Sequence, residues 1–279
     1  MHMKLINEKY TVIFENTTDY DTDTTFNCGQ CFRWDAWEGG WRGFAGPYLC
    51  HVFMEGGSLC VKSLTPVEDM QAFADFMLHY LSLDTDYAAL KKQFSEDEVM
   101  KKAIDYSPGI RVLNQPFFET LLTFIISRNN NIPRIKKIVD AMARTYGTPV
   151  GDVYAFPTAQ QLKDVTVEEY AELRMGFRAK YIYDAVQKVL SGVITEETVK
   201  ALPYPRAQKY LMQIKGVGPK VADCVLLFSC EKTESFPKDV WINRALDQLF
   251  PQGLPECIKG TEGIAQQYIF HYARFNLEK

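Results

Sequence analysis

The chain has 279 residues, of which 47% are hydrophobic and 24% are charged, and its net charge is −4. These proportions are typical of a globular protein that buries a sizeable core in one or two domains. The longest apolar runs, such as residues 225–228, are far too short to span a bilayer, and no charged-then-apolar leader opens the chain. We therefore expect an intracellular protein that is neither secreted nor membrane-bound.

The charge is unevenly distributed. Residues 1–120 carry a net charge of −8, whereas residues 121–220, with 15 Lys and Arg against nine Asp and Glu, carry +6. A basic segment in an acidic protein can bind a polyanion, although a random excursion in composition explains this feature equally well when it stands alone.

Seven cysteines are present, an odd number, which favours free thiols in a reducing compartment. Cys28 and Cys31 form a C-x-x-C pair, but Cys50 and Cys60, the nearest other cysteines, do not form a second close pair. Because a structural zinc ion takes four ligands, this spacing argues against a zinc site.

The first sixty residues have the pattern of short strands, rich in β-branched and aromatic side chains. Turn signals at 38–40 and 56–57 indicate two hairpins. The predicted strands are 10–14, 32–34, 41–44, 50–54 and 58–62.

Helical patterns follow. A capping box at 65–68 predicts a helix that continues to Leu81, and a second capping box begins at Thr166. Further helices are predicted at 117–127, 131–146 and 178–190. The expected class is α+β, with an N-terminal antiparallel β region packed on a mostly helical body. We place the β-rich domain, with flanking helices, at 1–107 and the helical domain at 108–279.

The most informative segment is Gly216-Val217-Gly218, between a helix that ends near Met212 and one that restarts at Pro219. Two glycines separated by one residue allow a sharp turn, and the exposed amides of the new helix can hold a phosphate. This is the pattern of a helix–hairpin–helix, which binds the DNA backbone without reading its sequence. A tight helix–helix connection with no ligand is the alternative.

Lys220 lies at the start of that second helix, where the helix dipole disfavours a cation. It could be solvated, could pair with a phosphate, or could act as a nucleophile. Asp239 follows 19 residues later and is expected at a helix N-cap. One helix and a loop separate the two, which lets the chain return to the same end of the Lys220 helix.

With these segments the chain resembles the helix–hairpin–helix DNA glycosylase superfamily and, within it, the 8-oxoguanine DNA glycosylase family. The resemblance covers almost the whole length. The matching segments are the Gly-Gln-x-Phe-Arg-Trp region at 28–34, the triple-Asn motif at 129–134, the wedge at 176–181, Pro237-x-Asp239 and the C-terminal segment 265–270.

The resemblance implies a glycosylase with AP lyase activity that flips the damaged base out of the duplex. Lys220 would attack the sugar C1′ and form a Schiff base, and Asp239 would stabilise positive charge on the sugar. The pocket for 8-oxoguanine would be formed by Gly29, Cys224, Pro237, Gln266 and Phe270. Gly29 would accept the N7 hydrogen through its carbonyl, Cys224 and Phe270 would sandwich the base, and Gln266 would read its Watson–Crick edge.

The DNA contacts are implied in the same way. Asn129 would fill the gap that the flipped base leaves, and Phe177 would wedge into the stack. Arg134 and Arg178 would contact the orphaned cytosine. The hairpin residues Gly216, Val217 and Gly218 would hold a backbone phosphate, and the carbonyls of Ile214 and Val217 would bind a monovalent or divalent cation.

Four positions differ from the residues usual in the family, namely Phe177, Lys215, Lys238 and Trp241. After residue 230 only Cys257 remains, so no iron–sulfur cluster and no other cofactor is expected. The partner would be double-stranded DNA containing 8-oxoguanine, bound by a monomer in a bacterial cytoplasm, near the nucleoid, or in a nucleus. The alternatives are an alkylpurine glycosylase, which would lack the lysine, and a DNA-binding protein without catalysis.

Overall fold

Six N-terminal strands form one antiparallel sheet in the computed structural model, which describes residues 2–277. The strands are β1 (Met3–Ile6), β2 (Thr11–Phe14), β3 (Trp34–Trp37), β4 (Gly40–Ala45), β5 (Tyr48–Glu55) and β6 (Ser58–Ser63). Their order across the sheet is β1-β2-β6-β5-β4-β3. Both predicted hairpin turns are confirmed, with Trp37 opposite Gly40 and Glu55 opposite Ser58. The strand predicted at 32–34 lies instead at Trp34–Trp37, because it runs directly into the tight turn. Each turn has two central residues with positive φ, as a tight hairpin requires.

The remaining elements are mostly helical, so the α+β class is confirmed. In chain order the helices are α1 (Thr22–Asn27), α2 (Met70–Tyr80), α3 (Tyr87–Phe94), α4 (Glu98–Tyr106), α5 (Phe117–Ser127), α6 (Ile132–Tyr146), α7 (Val167–Tyr170), α8 (Ala179–Leu190), α9 (Glu196–Ala201), α10 (Tyr204–Leu211), α11 (Pro219–Ser229), α12 (Val240–Leu249) and α13 (Glu262–Asn276). A two-stranded ribbon, β7 (Pro149–Val150) and β8 (Val153–Tyr154), follows α6. Among residues 2–277 no helix combines the length and apolarity needed to cross a bilayer.

The chain divides into two compact units. The first contains the residues up to Asn114 together with those from Phe236 on, and the second is Gln115–Ser235. This differs from the predicted boundary after residue 107, because the segment from Phe236 on groups with the N-terminal residues. α13 packs on α4, and the hydroxyl of Tyr268 donates to the carbonyl of Ile110 at 3.5 Å.

The core of the first unit lies between the sheet, α1 and α2. Phe26 stacks on Trp34 with ring centroids 4.4 Å apart, and the indole of Trp34 donates to the hydroxyl of Tyr80 at 2.9 Å. Phe73 and Met77 of α2 are fully buried in the same cluster. Burying large aromatic and aliphatic side chains in this way stabilises the sheet by about 2 kcal/mol for each.

The predicted capping box at 65–68 is wrong. α2 begins at Met70, and Asp69 caps it by accepting the amides of Gln71 and Ala72. The chain before it still belongs to the sheet, because the amide of Leu64 donates to the carbonyl of Leu49 at 2.7 Å. A strand hydrogen bond at this position competes with a helix start.

The predicted helices of the second unit are confirmed. α5 spans residues 117–127, Asn131 caps α6, and the capping box at Thr166 is formed by both of its hydrogen bonds. α11 is buried from Val221 to Ser229 and packs on α5, where Phe124 stacks on Phe228 at 5.4 Å. This burial holds the helix that carries Lys220.

Candidate active site and nucleic-acid interface

The hairpin between α10 and α11 requires glycine at its first position. Gly216 has φ +81°, and a Cβ there would lie 2.4 Å from Cγ of Tyr181. Such a contact is far inside van der Waals distance, so only glycine lets the hairpin pack against the tyrosine ring. At Gly218, by contrast, φ is ordinary and a Cβ would meet open space.

Two charged residues of α8 anchor the hairpin. The carboxylate of Asp184 accepts the amide of Lys215 at 2.7 Å and pairs with Lys188 at 2.8 Å. The ammonium of Lys188 also donates to the carbonyl of Gln213 at 2.5 Å. These bonds satisfy backbone groups of a tight turn and hold its shape in the free protein.

The N-terminus of α11 is open to a ligand. Gly218 occupies the N-cap position and has no side chain with which to cap the helix, and Pro219 follows in the first turn. Uncapped amides and the positive end of the helix dipole favour an anion at this position. The geometry therefore suits a phosphate, as the motif predicts.

Lys220 is half-buried beside this end of the helix. Its ammonium lies 5.3 Å from the ring centroid of Phe124 on α5, within the range of a cation–π contact. The aromatic face packs against the ammonium, and no carboxylate among residues 2–277 forms an ion pair with it. A lysine held in this way can present its amine to an incoming electrophile.

Asp223 and Cys224, one turn further along α11, are buried. The carboxylate of Asp223 accepts the hydroxyl of Tyr204 at 3.0 Å and the amide of Gln208 at 2.6 Å, which ties α11 to α10 across the hairpin. Cys224 is 2% exposed. A flipped base can stack on it only if the residues around it move aside.

The triple-Asn segment forms a turn before α6. Asn129 is exposed at φ +46°, a left-handed conformation that asparagine tolerates better than most residues. Asn130 donates to the carbonyl of Ile126 at 3.1 Å, and Asn131 caps α6 by accepting the amide of Arg134 at 3.0 Å. The second and third asparagines thus build the turn, and the first projects from it.

Arg178 is buried in this unit, at 2% exposure, and its guanidinium binds main-chain carbonyls. It donates to the carbonyl of Arg128 through Nε at 2.8 Å and to that of Asn129 at 2.7 Å. Burial lowers the pKa of Arg178, and the neighbouring cations Arg134 and Arg128 lower it further. In this conformation Arg178 supports the Asn129 turn, and contact with an orphaned cytosine requires that these bonds be released.

Phe177 and Arg134 are available to a ligand. Phe177 is 47% exposed, and its ring meets Tyr181 edge-on with centroids 6.0 Å apart. Arg134 is exposed, and its guanidinium donates to the carbonyl of Arg174 at 3.3 Å. An exposed aromatic side chain beside basic residues matches the features expected of a wedge into stacked bases.

The other predicted site residues lie in the first unit. Asp239 caps α12 by accepting the amide of Ile242 at 2.8 Å, as its position predicts. Gln266 on α13 donates to the carbonyl of buried Pro237 at 3.0 Å and accepts from Gln267 at 2.6 Å. Phe270, one turn further along α13, is half-buried. The structure thus joins the Pro-x-Asp segment to Gln266.

Gly29 lies in a turn held by its neighbours in the sequence. It has φ +86°, where glycine is unstrained, and Gln30 donates to the carbonyls of Thr25 and Arg111 at 2.8 and 2.7 Å. Burial raises the pKa of Cys28 to about 11, so its thiol keeps the proton that it donates to Gln267 at 3.4 Å. The bond from Cys28 connects the Gly29 turn to α13.

Comparisons with known proteins agree with these features. The sequence profile of the 8-oxoguanine DNA glycosylase N-terminal domain matches residues 12–121. An N-glycosylase/DNA lyase of Arabidopsis thaliana is 31% identical, over 92% of this chain and 74% of its own length. The chain belongs to the 8-oxoguanine DNA glycosylase family.

Structural comparison supports this family assignment. The 8-oxoguanine glycosylase/lyase of Clostridium acetobutylicum, solved with double-stranded DNA containing cytosine opposite 8-oxoguanine, matches with a TM-score of 0.91 and 35% identity over 98% of both chains. The 3-methyladenine DNA glycosylase of Archaeoglobus fulgidus matches over 96% of this chain and 99% of its own, with a TM-score of 0.76 and 19% identity. The latter likeness shows a shared fold only, so the fold alone does not separate this family from alkylpurine enzymes.

The sequence did not indicate the residues that support the hairpin and α11. The hairpin is held by Asp184 and Lys188, and α11 is held by Tyr204 and Gln208. In the sequence each of these is an ordinary polar residue on an amphipathic helix, so nothing marks its role. Within residues 2–277 no three His, Cys, Asp or Glu side chains are grouped as metal ligands. The roles given to Lys220 with Asp239, to the base pocket and to a cation at Ile214 and Val217 stay predictions.

Proposed function

We propose that this chain is a bifunctional DNA glycosylase and AP lyase that excises 8-oxoguanine paired with cytosine from duplex DNA. The observation that carries the proposal is Lys220, half-buried over Phe124 at the uncapped start of α11, directly after a glycine hairpin suited to phosphate. Membership of the 8-oxoguanine DNA glycosylase family supports it. A DNA-binding protein without catalysis would need the hairpin but not this lysine.

The chemistry follows from the amine. The nitrogen of Lys220 would attack C1′ of the damaged nucleotide, and the bond from C1′ to the base would break, so that the base leaves with the electron pair and takes up a proton. Transfer of a proton from the nitrogen to the ring oxygen, with opening of the sugar ring, would give a Schiff base. Loss of a proton from C2′ would then expel the 3′ phosphate by β-elimination. The carboxylate of Asp239 would stabilise the positive charge that develops on the sugar.

Selection of the oxidised base would depend on one hydrogen. 8-Oxoguanine carries a hydrogen on N7, which a main-chain carbonyl at Gly29 can accept, whereas guanine presents a bare acceptor there. Leaving a buried acceptor unpaired costs roughly 1–3 kcal/mol, or about ten- to a hundredfold in preference. The amide of Gln266, held by Pro237 and Gln267, is suited to read the Watson–Crick edge.

Borohydride trapping tests the proposed function. We expect the protein to become covalently linked to a duplex with 8-oxoguanine opposite cytosine, and to cut that strand, but not to trap on the same duplex with guanine. Duplexes with the other three bases opposite the lesion measure the discrimination that Arg134 and Phe177 provide. If neither trapping nor cutting occurs, or if release of an alkylpurine is the faster reaction, the proposal is wrong.

The substitution Asp239→Asn distinguishes the electrostatic role of the Asp239 carboxylate from its role as a helix cap. Asparagine caps a helix about as well as aspartate, so the melting temperature should change little. We expect excision to slow by about 10² to 10³-fold, the usual loss when one preorganised electrostatic group is removed from a site. Single-turnover release of 8-oxoguanine is the measurement, and Asp97→Asn, which changes the cap of α4 in the same way, is the matched control.

The proposed partner is double-stranded DNA, bound by a monomer in the compartment that contains the DNA. We also propose the cation at the carbonyls of Ile214 and Val217, where it would reinforce the positive end of α11 beside the phosphate. The carbonyl of Ile214 already accepts the amide of Val217 at 3.0 Å and keeps a second lone pair for an ion.

A further inference from the structure

A cavity of about 480 Å³ lies in the second unit between α6 and the turn that follows α7. Its walls carry three cations, Arg134, Lys137 and Arg174, and one carboxylate, Glu172. Apolar atoms, including those of Pro133, cover much of the rest. The cavity is open to solvent and is within the size range of small-ligand sites. None of these residues except Arg134 has a role in the proposed reaction.

The cavity wall carries more positive than negative charge. Within residues 2–277, neither Lys137 nor Arg174 forms an ion pair with a carboxylate, and Glu172 forms none with either of them. Arg134 is directed across the cavity by its bond to the carbonyl of Arg174 at 3.3 Å. Unpaired cations around a concave surface favour an anion, and the apolar part favours an anion with an apolar body.

Arg174 adopts a conformation that costs free energy. Its φ is +60° and its ψ is 25°, in the left-handed region that glycine occupies without strain. Because Arg174 is exposed, burial of its side chain does not offset this cost. An unfavourable backbone conformation that carries an unpaired cation into a cavity points to a use for that side chain.

We propose that this cavity binds one phosphodiester, with its sugar, of the strand opposite the lesion, next to the orphaned cytosine. The inference rests on the proposed function. Lys137 and Arg174 would hold the phosphate, and the apolar wall near Pro133 would contact the sugar. The strand is assigned from position, because the same chain segments that form the cavity lead directly to Asn129 and Phe177 at the opened base pair.

Single-phosphate substitution tests the site. Methylphosphonates, which are uncharged, are placed one at a time along the opposite strand of a duplex with 8-oxoguanine opposite cytosine, and binding is measured at several salt concentrations. For the wild type we expect one position near the cytosine to weaken binding by about tenfold, the value of a charge-assisted hydrogen bond. The double variant Lys137→Ala/Arg174→Ala should bind about tenfold more weakly, with a salt slope smaller by about 1, and should be insensitive to that position.

Two further variants exclude trivial explanations. Lys92→Ala/Lys102→Ala removes two exposed lysines of the other unit and should keep the wild-type pattern. Arg174→Gly places glycine where φ is positive, so the protein should melt at or above the wild-type temperature and yet bind DNA more weakly.

Equal sensitivity at every phosphate of the opposite strand in the wild type overturns the proposal, as does a double variant that keeps the sensitive position. The proposal is also wrong if Arg174→Gly binds DNA as tightly as the wild type does. Failure of the proposed function is distinguishable, because it appears as loss of borohydride trapping by the wild type on the unmodified duplex.

Discussion

Lys220→Gln should lose covalent trapping by borohydride and should release 8-oxoguanine at least about a thousandfold more slowly than the wild type, a barrier increase of about 4 kcal/mol. Glutamine keeps most of the side-chain length over Phe124 but cannot form a Schiff base. The fold should not suffer, because the start of a helix disfavours a cation and the contact that is lost is the exchangeable cation–π contact with Phe124. Binding of damaged DNA should therefore persist while catalysis is lost.

Lys209→Gln is the control for this change. Lys209 is exposed on α10, in the same unit, so its substitution removes the same charge and should leave trapping intact. Single-turnover excision and trapping on the duplex with 8-oxoguanine opposite cytosine are the measurements. Trapping of Lys220→Gln at the wild-type level means that another amine is the nucleophile.

Gly216→Ala should lower the free energy of unfolding by about 3 kcal/mol or more, since a left-handed conformation and a steric clash add together. The added Cβ would lie 2.4 Å from Cγ of Tyr181, and φ at this position is +81°. Relief requires the tyrosine to leave its place or the hairpin to open. Either change would move the amides at the start of α11.

Two other glycines distinguish the cost of backbone strain from the cost of the steric clash. Gly192 has φ +72° with no atom within 4 Å of a Cβ, so Gly192→Ala should cost only the backbone strain, about 1–2 kcal/mol. Gly218 has neither a positive φ nor a close neighbour, so Gly218→Ala should have little effect on stability. Chemical denaturation measures the free energy of unfolding of all three variants. Equal losses at Gly216 and Gly192 would show that the packing against Tyr181 is not needed.

Local sequence patterns predicted the helix starts correctly where the capping hydrogen bond joins residues three positions apart. Asn131, Thr166 and Asp239 were each expected to begin a helix, and each accepts the amide three residues ahead. The same reasoning failed at Thr65, where the preceding residue is still bonded to Leu49 of the sheet. A cap is predictable only when no distant strand competes for the same backbone.

The hydrogen bonds that support the site could not be predicted from the sequence, because their partners are distant along the chain. Arg178 was expected to face DNA, but the carbonyls that it binds in the free protein come from a turn some fifty residues earlier. Asp184 is 31 residues before the hairpin amide that it accepts. Neither residue differs in kind from other charged residues on amphipathic helices, so nothing in its type or spacing indicates its partner.

The sequence by itself determined the family and the position of Lys220, because a glycine hairpin followed by lysine and the downstream Pro-x-Asp are short motifs whose chemistry depends on residue type. Only the tertiary structure decided that Phe124 lies under the ammonium, that Tyr181 makes Gly216 necessary and that Arg174 opens into a basic cavity. Those contacts depend on which helices pack together. Packing follows from the burial of many apolar residues at once, and no single motif encodes it.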